Sequence, residues 1–107
     1  MANYKLSNVA KEDLIRIHRY GVQQFGVNQA DKYFSAFFVH FDLIAKNPLS
    51  FESVDFIKPG YRRCICGVDS IFFKLNEDYV EIMTIIGRQE ISSLLWYVLT
   101  RDPGGLR

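Results

Sequence analysis

A chain of 107 residues is expected to form a single domain, and folding at this length should bury roughly two-thirds of the unfolded surface. The composition, 49% apolar and 15% aromatic, excludes an intrinsically disordered protein, and the net charge of +1 does not indicate a typical nucleic-acid-binding protein. The first residues lack the layout of a signal peptide, and the longest apolar runs are too short to cross a bilayer. We therefore expect a soluble, cytoplasmic protein with no membrane association.

The first third of the chain predicts a short strand followed by a helix. Residues 4–8 alternate as a strand would, and Asn8 is a suitable N-cap with Glu12 and Asp13 placed to face the helix dipole. Apolar residues then recur at spacings of three and four, which predicts a helix to about Phe25 through Ala10, Leu14, Ile17 and Gly21.

A second helix follows after a very short connection. Gly26 is a suitable residue just beyond the first helix, and Asn28 is predicted to cap the next one. The helix is expected to end near Lys46, because Pro48 disfavours a helical conformation in the residue before it. Its apolar stripe is rich in aromatic residues that predict a core: Ala30, Phe34, Phe37, Phe38, Phe41 and Ile44.

The remaining pattern predicts strands. A turn-rich linker at residues 47–59 leads to three short strands at residues 61–66, 71–75 and 79–86, joined by turns at 67–69 and 76–78. The order is β-α-α-β-β-β. We therefore predict an α+β fold in which an antiparallel-rich twisted sheet packs on an αα-hairpin, with the helices on one face.

The two cysteines are interpreted as small buried side chains. Cys64 and Cys66 share one face of a strand, where a disulfide between them would strain the backbone. A metal site would need two further ligands, and His18 and His40 fall on the helices instead. No metal and no cofactor is predicted.

Several spacings resemble those of a known protein superfamily. They are the positions of Ala10, Leu14, Ile17 and Tyr20 in the first helix, the entry Gly60-x-Arg62, the strand Ile71-Phe72-Phe73, and Val80-x-Ile82-x-x-Ile85 followed by Gly87-Arg88. In this order they resemble the RelE/ParE toxin superfamily over roughly residues 4–90, and its ParE branch most. The resemblance implies a toxin encoded with a neutralising antitoxin. RelE-like members cut messenger RNA on the ribosome, whereas ParE-like members poison DNA gyrase.

The positions that carry catalysis in the RNA-cutting members are poorly matched. The resemblance implies basic residues alternating on the second strand, an Arg opening the third, and basic residues, Tyr or His after the fourth. Arg62 and Arg88 fill two of these positions, but Cys64 and Ser70 stand where further cations belong. Arginine hardly titrates at neutral pH and is a poor acid–base group. We therefore expect inhibition by binding, with no catalytic residue.

Five residues are predicted to bind the target or the antitoxin: Tyr61, Arg62, Arg63, Arg88 and Trp96. Arg62 and Arg63 alternate faces, so only one can point to the helix-free side of the sheet, and the resemblance favours Arg62. The structural alternatives are ion pairs of Arg62 with Asp55, Glu77 or Glu81, and a Tyr61 ring that seals the sheet edge.

Residues 91–107 are predicted to form a C-terminal extension beyond the toxin domain of residues 1–90. Residues 91–100, ISSLLWYVLT, are apolar on nearly every side if helical. They are interpreted either as a short helix that covers the sheet or as an apolar surface for an antitoxin or a second copy, with Trp96 and Tyr97 as candidate anchors. The last seven residues are predicted to be a mobile tail.

Three functions remain open at this point. The preferred hypothesis is a ParE-like toxin that binds gyrase and forms a hetero-oligomer with a ParD-like antitoxin, through the helical hairpin and the sheet face around Arg62 and Arg88. The alternative is a ribosome-dependent endonuclease using Arg62, Arg63 and Arg88 on the phosphate, with Tyr61 or Tyr97 stacking on a base. The third is a degenerate toxin that keeps only antitoxin binding. No direct sequence-specific recognition of nucleic acid is expected.

Overall fold

The structure is a computed structural model and describes residues 3–87. Its main elements, in chain order, are β1 (Tyr4–Leu6), α1 (Asn8–Phe25), α2 (Val27–Lys46), β2 (Glu52–Ser53), β3 (Tyr61–Cys66), β4 (Asp69–Leu75) and β5 (Val80–Gly87). The predicted β-α-α-β-β-β order is confirmed. The linker adds a 3₁₀ turn at Pro48–Ser50 and the two-residue strand β2, which is too short to leave a pattern in the sequence. Neither helix is long and apolar enough to span a bilayer.

The strands form one mixed sheet in the order β1-β5-β4-β3-β2. The first strand pairs with β5 in parallel, and every other pair is antiparallel. A β-bulge interrupts the pairing of β4 with β5 between Phe72 and Phe73. The predicted antiparallel-rich sheet is therefore confirmed, and its longest strands lie at the centre.

Both predicted helix caps are wrong by one or two residues. Ser7, and not Asn8, caps α1, because its Oγ accepts a hydrogen bond from the Ala10 N–H at 3.0 Å. A single residue, Gly26, separates the two helices with a φ of 90°, so α2 begins at Val27 and leaves no place for a cap at residue 28. Left-handed φ favours glycine, which is why the chain turns there.

The main core lies between the helices and one face of the sheet. Phe37, Phe41 and Ile44 of α2 are fully buried, and they pack with Leu14 and Ile17 of α1. Phe34 and Phe38, which the sequence also assigns to the core, are only partly buried at its margin. The sheet contributes residues from its three longest strands: Cys64, Cys66, Ile71, Phe73, Val80, Ile82 and Ile85.

The opposite face of the sheet, called the far face below, carries a second and smaller cluster. Tyr61, Phe72 and Ile86 lie in it, with Met83 at its margin. The linker folds back so that Val54 is completely buried in this cluster. The far face is therefore apolar at its centre.

Asp13 joins α1 to the last strand. Its Oδ2 accepts hydrogen bonds from the Thr84 hydroxyl at 2.7 Å and from the Ile85 N–H at 3.0 Å, while Oδ1 pairs with Arg16 at 3.2 Å. Asp13 lies beyond the first turn of the helix, so the predicted interaction of this carboxylate with the helix dipole is wrong. Its role is to satisfy polar groups next to the bulge in the β4–β5 ladder.

Tyr33 fixes the β3–β4 turn against α2. Its hydroxyl hydrogen is shared between Asp69 Oδ2 at 2.7 Å and the Cys66 carbonyl at 2.8 Å, and its oxygen accepts from the Val68 N–H. Burial, followed by the bond to Asp69, raises the pKa of the Tyr33 phenol, which therefore remains a neutral donor. Gly67 permits this contact, because a Cβ there would lie 2.6 Å from the Tyr33 ring.

Replacing Asp13 by alanine should lower the free energy of unfolding by about 1–3 kcal/mol, because a part-buried N–H and a hydroxyl lose their acceptor. Urea denaturation followed by circular dichroism measures the change. Glu12→Ala is the matched control, since Glu12 is the exposed neighbour on the same helix. Equal losses for the two variants would contradict a stabilising role for Asp13.

Tyr33→Phe should also destabilise the protein by about 1–3 kcal/mol, because Asp69 is buried and loses a hydrogen-bond donor. Thermal denaturation of Tyr20→Phe provides the control, since the Tyr20 side chain is mostly exposed. If both variants melt at the wild-type temperature, the hydroxyl of Tyr33 does not hold the turn.

Candidate functional site

The two adjacent arginines of β3 lie on opposite faces of the sheet. Arg62 is opposite Phe73, which belongs to the main core, and Arg63 is opposite Phe72, which belongs to the far-face cluster. Directly paired residues share a face, so Arg62 lies on the helix side and Arg63 on the far face. The expectation that Arg62 points to the helix-free side is wrong. Cys64, buried in the main core two residues after Arg62, sets this register.

Arg62 holds a positive charge at the sheet edge without a carboxylate. Its Nη1 donates to the Phe51 carbonyl at 2.7 Å. It forms no ion pair with Asp55, Glu77 or Glu81, nor with any other carboxylate between residues 3 and 87. Within residues 3–87, its charge is therefore oriented by a neutral group and is not paired with an anion.

Arg63 is neutralised within the sheet. Its Nε donates to Glu52 Oε2 at 2.5 Å, and its Nη2 forms an ion pair with the same oxygen. Glu52 lies directly opposite Arg63 in the β2–β3 ladder, so the pair also holds the edge strand. Because Glu52 already pairs with it, Arg63 is expected to bind a second anion only weakly.

Tyr61 is a packing residue. Only 3% of it is exposed, and its ring lies in the far-face cluster with Phe72. The Lys58 ammonium lies 5.6 Å from the ring centroid. The ring therefore closes the sheet edge, as the structural alternative predicts, and offers little surface to a partner.

Arg88, Trp96 and Tyr97 lie outside the described residues, and their roles stay predictions. Arg88 directly follows Gly87, the residue of β5 that pairs with Asp69 of β4. The predicted C-terminal helix at 91–100 and the tail beyond it also fall in this part of the chain.

Two thiols follow the arginines on the same strand. Cys64 and Cys66 are free and buried, as predicted, and burial raises the pKa of both to about 11. Both are therefore neutral at physiological pH. His18 and His40 lie on the helices, where His18 Nε2 is 2.8 Å from Asp31 and His40 Nδ1 is 2.8 Å from the Ala36 carbonyl.

An apolar cavity of about 290 Å³ opens where the helices meet the β3–β4 turn. Tyr20, Phe25, Tyr33, Phe34 and Val68 line it, and we call it the hairpin groove. Phe25 is 69% exposed, and the side chains of Tyr20 and Val68 are also mostly solvent-accessible. Exposed apolar side chains grouped around a groove are one kind of surface that a partner can cover.

A second, shallower depression lies beside it on the helices. It measures about 700 Å³ and is lined by Ile15, Arg19, Val22, Asp31 and Phe34; we call it the outer groove. His18 borders both grooves, and its bridge to Asp31 joins the two helices between them. The outer groove combines apolar walls with one cation and one anion.

The sequence reasoning did not identify either groove. Ile15 and Val22 are seven residues apart and lie off the buried stripe of α1, which is the one signal for a second apolar surface. Phe34 was assigned to the core, although it borders both grooves. Val68 belongs to the β3–β4 turn, and nothing in the sequence indicates that this turn lies against the helices.

Comparison with known proteins identifies the family. Residues 4–92 match the model of the ParE toxin of the type II toxin–antitoxin system parDE. The chain is 34% identical over 86 residues to Toxin ParE1 of Caulobacter vibrioides, across 80% of this chain and 88% of that protein. It is 28% identical over 86 residues to Toxin ParE1 of Mycobacterium tuberculosis, across 79% and 88% of the two chains.

A solved structure supports the fold independently. A chain of the chromosomal ParDE TA system from P. aeruginosa superposes with a TM-score of 0.73 at 19% identity, covering 81% of this chain and 96% of that one. The family model spans most of the sequence, and the Caulobacter relative matches over most of its own length. The chain therefore belongs to the ParE toxin family of type II toxin–antitoxin systems.

Proposed function

We propose that this toxin inhibits DNA gyrase by binding to it, without cutting RNA, and that a ParD-like antitoxin neutralises it. The observation that carries the proposal is the environment of β3. The strand that bears cations in RNA-cutting relatives here places Cys64 in the main core and leaves Arg62 as its one arginine without a carboxylate partner among the described residues.

The chemistry of RNA cleavage argues for this choice. A metal-independent ribonuclease must take a proton from the 2′-hydroxyl and deliver one to the leaving oxygen, with groups whose pKa lies near neutrality. The thiols of β3 titrate near 11 and are buried, and arginine hardly titrates. Glu52 neutralises Arg63, so this arginine is less able to stabilise a pentacovalent phosphate. A surface of this kind suits recognition better than catalysis.

The second candidate is a ribosome-dependent messenger-RNA endonuclease, and one observation favours it. The guanidinium of Arg62 is oriented by the Phe51 carbonyl and has no ion pair within residues 3–87, as a phosphate-binding arginine would require. The same arrangement also suits an acidic surface on a protein. Both candidate functions therefore use Arg62, and they differ in whether catalytic groups lie beside it.

The antitoxin is proposed to cover the grooves of the hairpin. The matching family is described as the toxin of parDE systems, and the neighbouring solved structure is of a ParDE system. Phe25, Tyr20 and Val68 are mostly exposed. Complete burial of one such apolar side chain by the antitoxin would contribute about 1.5–3 kcal/mol to binding. A segment with spaced apolar side chains, disordered until it binds, fits a groove of this shape.

Purified toxin should inhibit gyrase supercoiling and accumulate cleaved DNA complexes, while leaving transcripts intact on translating ribosomes. Arg62→Ala should weaken inhibition by about ten- to hundredfold, because a charge-assisted contact contributes about 1.5–3 kcal/mol. Lys32→Ala is the control, since Lys32 is an exposed cation on α2.

Transcripts cut by the wild-type chain, with supercoiling unaffected, would establish the endonuclease instead. If Arg62→Ala inhibits gyrase as strongly as the wild-type chain, the contact with gyrase lies on the hairpin or beyond residue 87.

Phe25→Ala should weaken antitoxin binding by about ten- to hundredfold, the equivalent of burying one aromatic side chain. Isothermal titration with the ParD-like antitoxin measures the change. Phe56→Ala is a matched control, because Phe56 is the same residue type, 82% exposed, and lies in the linker outside both grooves. Equal affinities for the two variants would exclude the hairpin groove.

A further inference from the structure

We propose that an extended segment of the antitoxin adds as a further strand to the open edge of β3 and continues from there into the hairpin groove. The inference rests on the proposed function, because it takes the ParD-like antitoxin as the partner and specifies how its segment is held. In this mode of recognition, main-chain hydrogen bonds to a sheet edge give affinity, and pockets for alternate side chains give specificity.

Strand β2 covers only the first half of the outer edge of β3. The two strands pair at Arg62 and Arg63, and the sheet described for residues 3–87 has no strand beyond β2. Phe51, just before β2, turns to the helix side, where its ring packs on Phe73 with the centroids 5.9 Å apart. Pairing along this edge of β3 therefore ends at Arg63.

The alternation of the backbone identifies the groups that are left open. The Tyr61 carbonyl accepts a hydrogen bond from the Val54 N–H at 2.8 Å, so the main-chain groups of Tyr61 face the outer edge. In an antiparallel strand every second residue repeats this direction, so the N–H and C=O of Arg63 and Ile65 also face outwards. Arg63 pairs with β2, whereas no strand residue between 3 and 87 lies opposite Ile65 on this side.

The open part of the edge lacks the charges and prolines that protect many edge strands. Residues 64–68 read CICGV. Ile65 is 47% exposed and Val68 is 63% exposed, so a partner can reach the edge. An edge that is uncharged, exposed and free of proline is a template for pairing with another chain.

The same edge leads into the hairpin groove. Val68 follows the end of β3 by two residues and lines the groove, and its N–H donates to the Tyr33 hydroxyl at 3.2 Å. A peptide in extended conformation advances about 10 Å in three residues. A segment that pairs with Ile65 therefore brings its next side chains to the groove, where Tyr20 and Phe25 are exposed.

The edge and the groove together select an extended peptide as the occupant. A helix could fill the apolar groove, but its main chain is already hydrogen-bonded internally and would leave the N–H and C=O of Ile65 to water. An extended segment pairs with both groups and still places alternate side chains in the groove. A segment that is disordered until it binds has its main chain free for this pairing.

Amide hydrogen exchange followed by NMR tests the pairing on the unmodified protein. The full toxin would be measured alone and in complex with the purified ParD-like antitoxin. The Ile65 amide should exchange rapidly in the free toxin and at least tenfold more slowly in the complex. The Cys64 amide is the internal control, because it faces β4, opposite Ile71, and should be protected in both states.

A substitution at the same position gives a second measurement. Ile65→Pro removes the open N–H without removing a bond of the β3–β4 ladder, since proline is tolerated where an edge N–H faces outwards. Compared with Ile65→Ala, which keeps the N–H, it should weaken antitoxin binding by about two- to tenfold in isothermal titration. Circular dichroism of both variants checks that the fold is retained.

The outcomes separate this inference from the proposed function. If the antitoxin binds but the Ile65 amide exchanges as fast as in the free toxin, the edge is not the site, while neutralisation by the antitoxin still stands. If that amide is already protected in the free toxin, the edge is occupied by the chain itself or by a second copy, and the inference is wrong. If the antitoxin does not bind at all, the proposed function fails and this inference fails with it.

Discussion

The register of β3 is the constraint on which the rest of the structure depends. Cys64 and Cys66 both point into the main core, and side chains on a strand alternate with a period of two. This assigns Arg62 to the helix side and Arg63 to the far face. Two residues that are identical in the sequence therefore acquire different chemistry. One is oriented by a carbonyl at the sheet edge, and the other is neutralised by a carboxylate on the neighbouring strand.

The periodicity of the sequence was sufficient for the helices and the long strands, because burial on a single stripe leaves a strong pattern in α1 and α2. The same reasoning failed where tertiary contacts determine which residue caps a helix or accepts a hydrogen bond. Ser7 and Asn8 are both good caps, and Ser7 is selected because its N–H and Oγ also bond the Ile82 and Met83 carbonyls of β5. The sequence places Asp13 where it could interact with the helix dipole, whereas its hydrogen bond with Thr84 depends on the tertiary fold.

The sequence also does not reveal which face of the sheet Arg62 and Arg63 lie on. The strand Tyr61–Cys66 has buried residues of both parities, with Tyr61 in one cluster and Cys64 in the other. A strand covered on both faces lacks the alternation that would reveal its register. The grooves of the hairpin were missed for a related reason: α1 and α2 carry apolar residues beyond the buried stripe, and a sequence does not distinguish a wide core stripe from a core stripe next to a docking surface.

These placements restrict how a partner can engage the toxin. Arg62 lies near the start of β3, while Val68, at the mouth of the hairpin groove, lies just beyond its end. Six strand residues separate these regions by roughly 20 Å. A compact binding element would cover one of them, whereas an extended segment of six or seven residues could contact both. A chain that folds on binding can wrap a surface of this extent, at the cost of the entropy lost when it becomes ordered. Arg62 and the hairpin groove therefore both lie on the helix side of the sheet, where one extended segment can reach both.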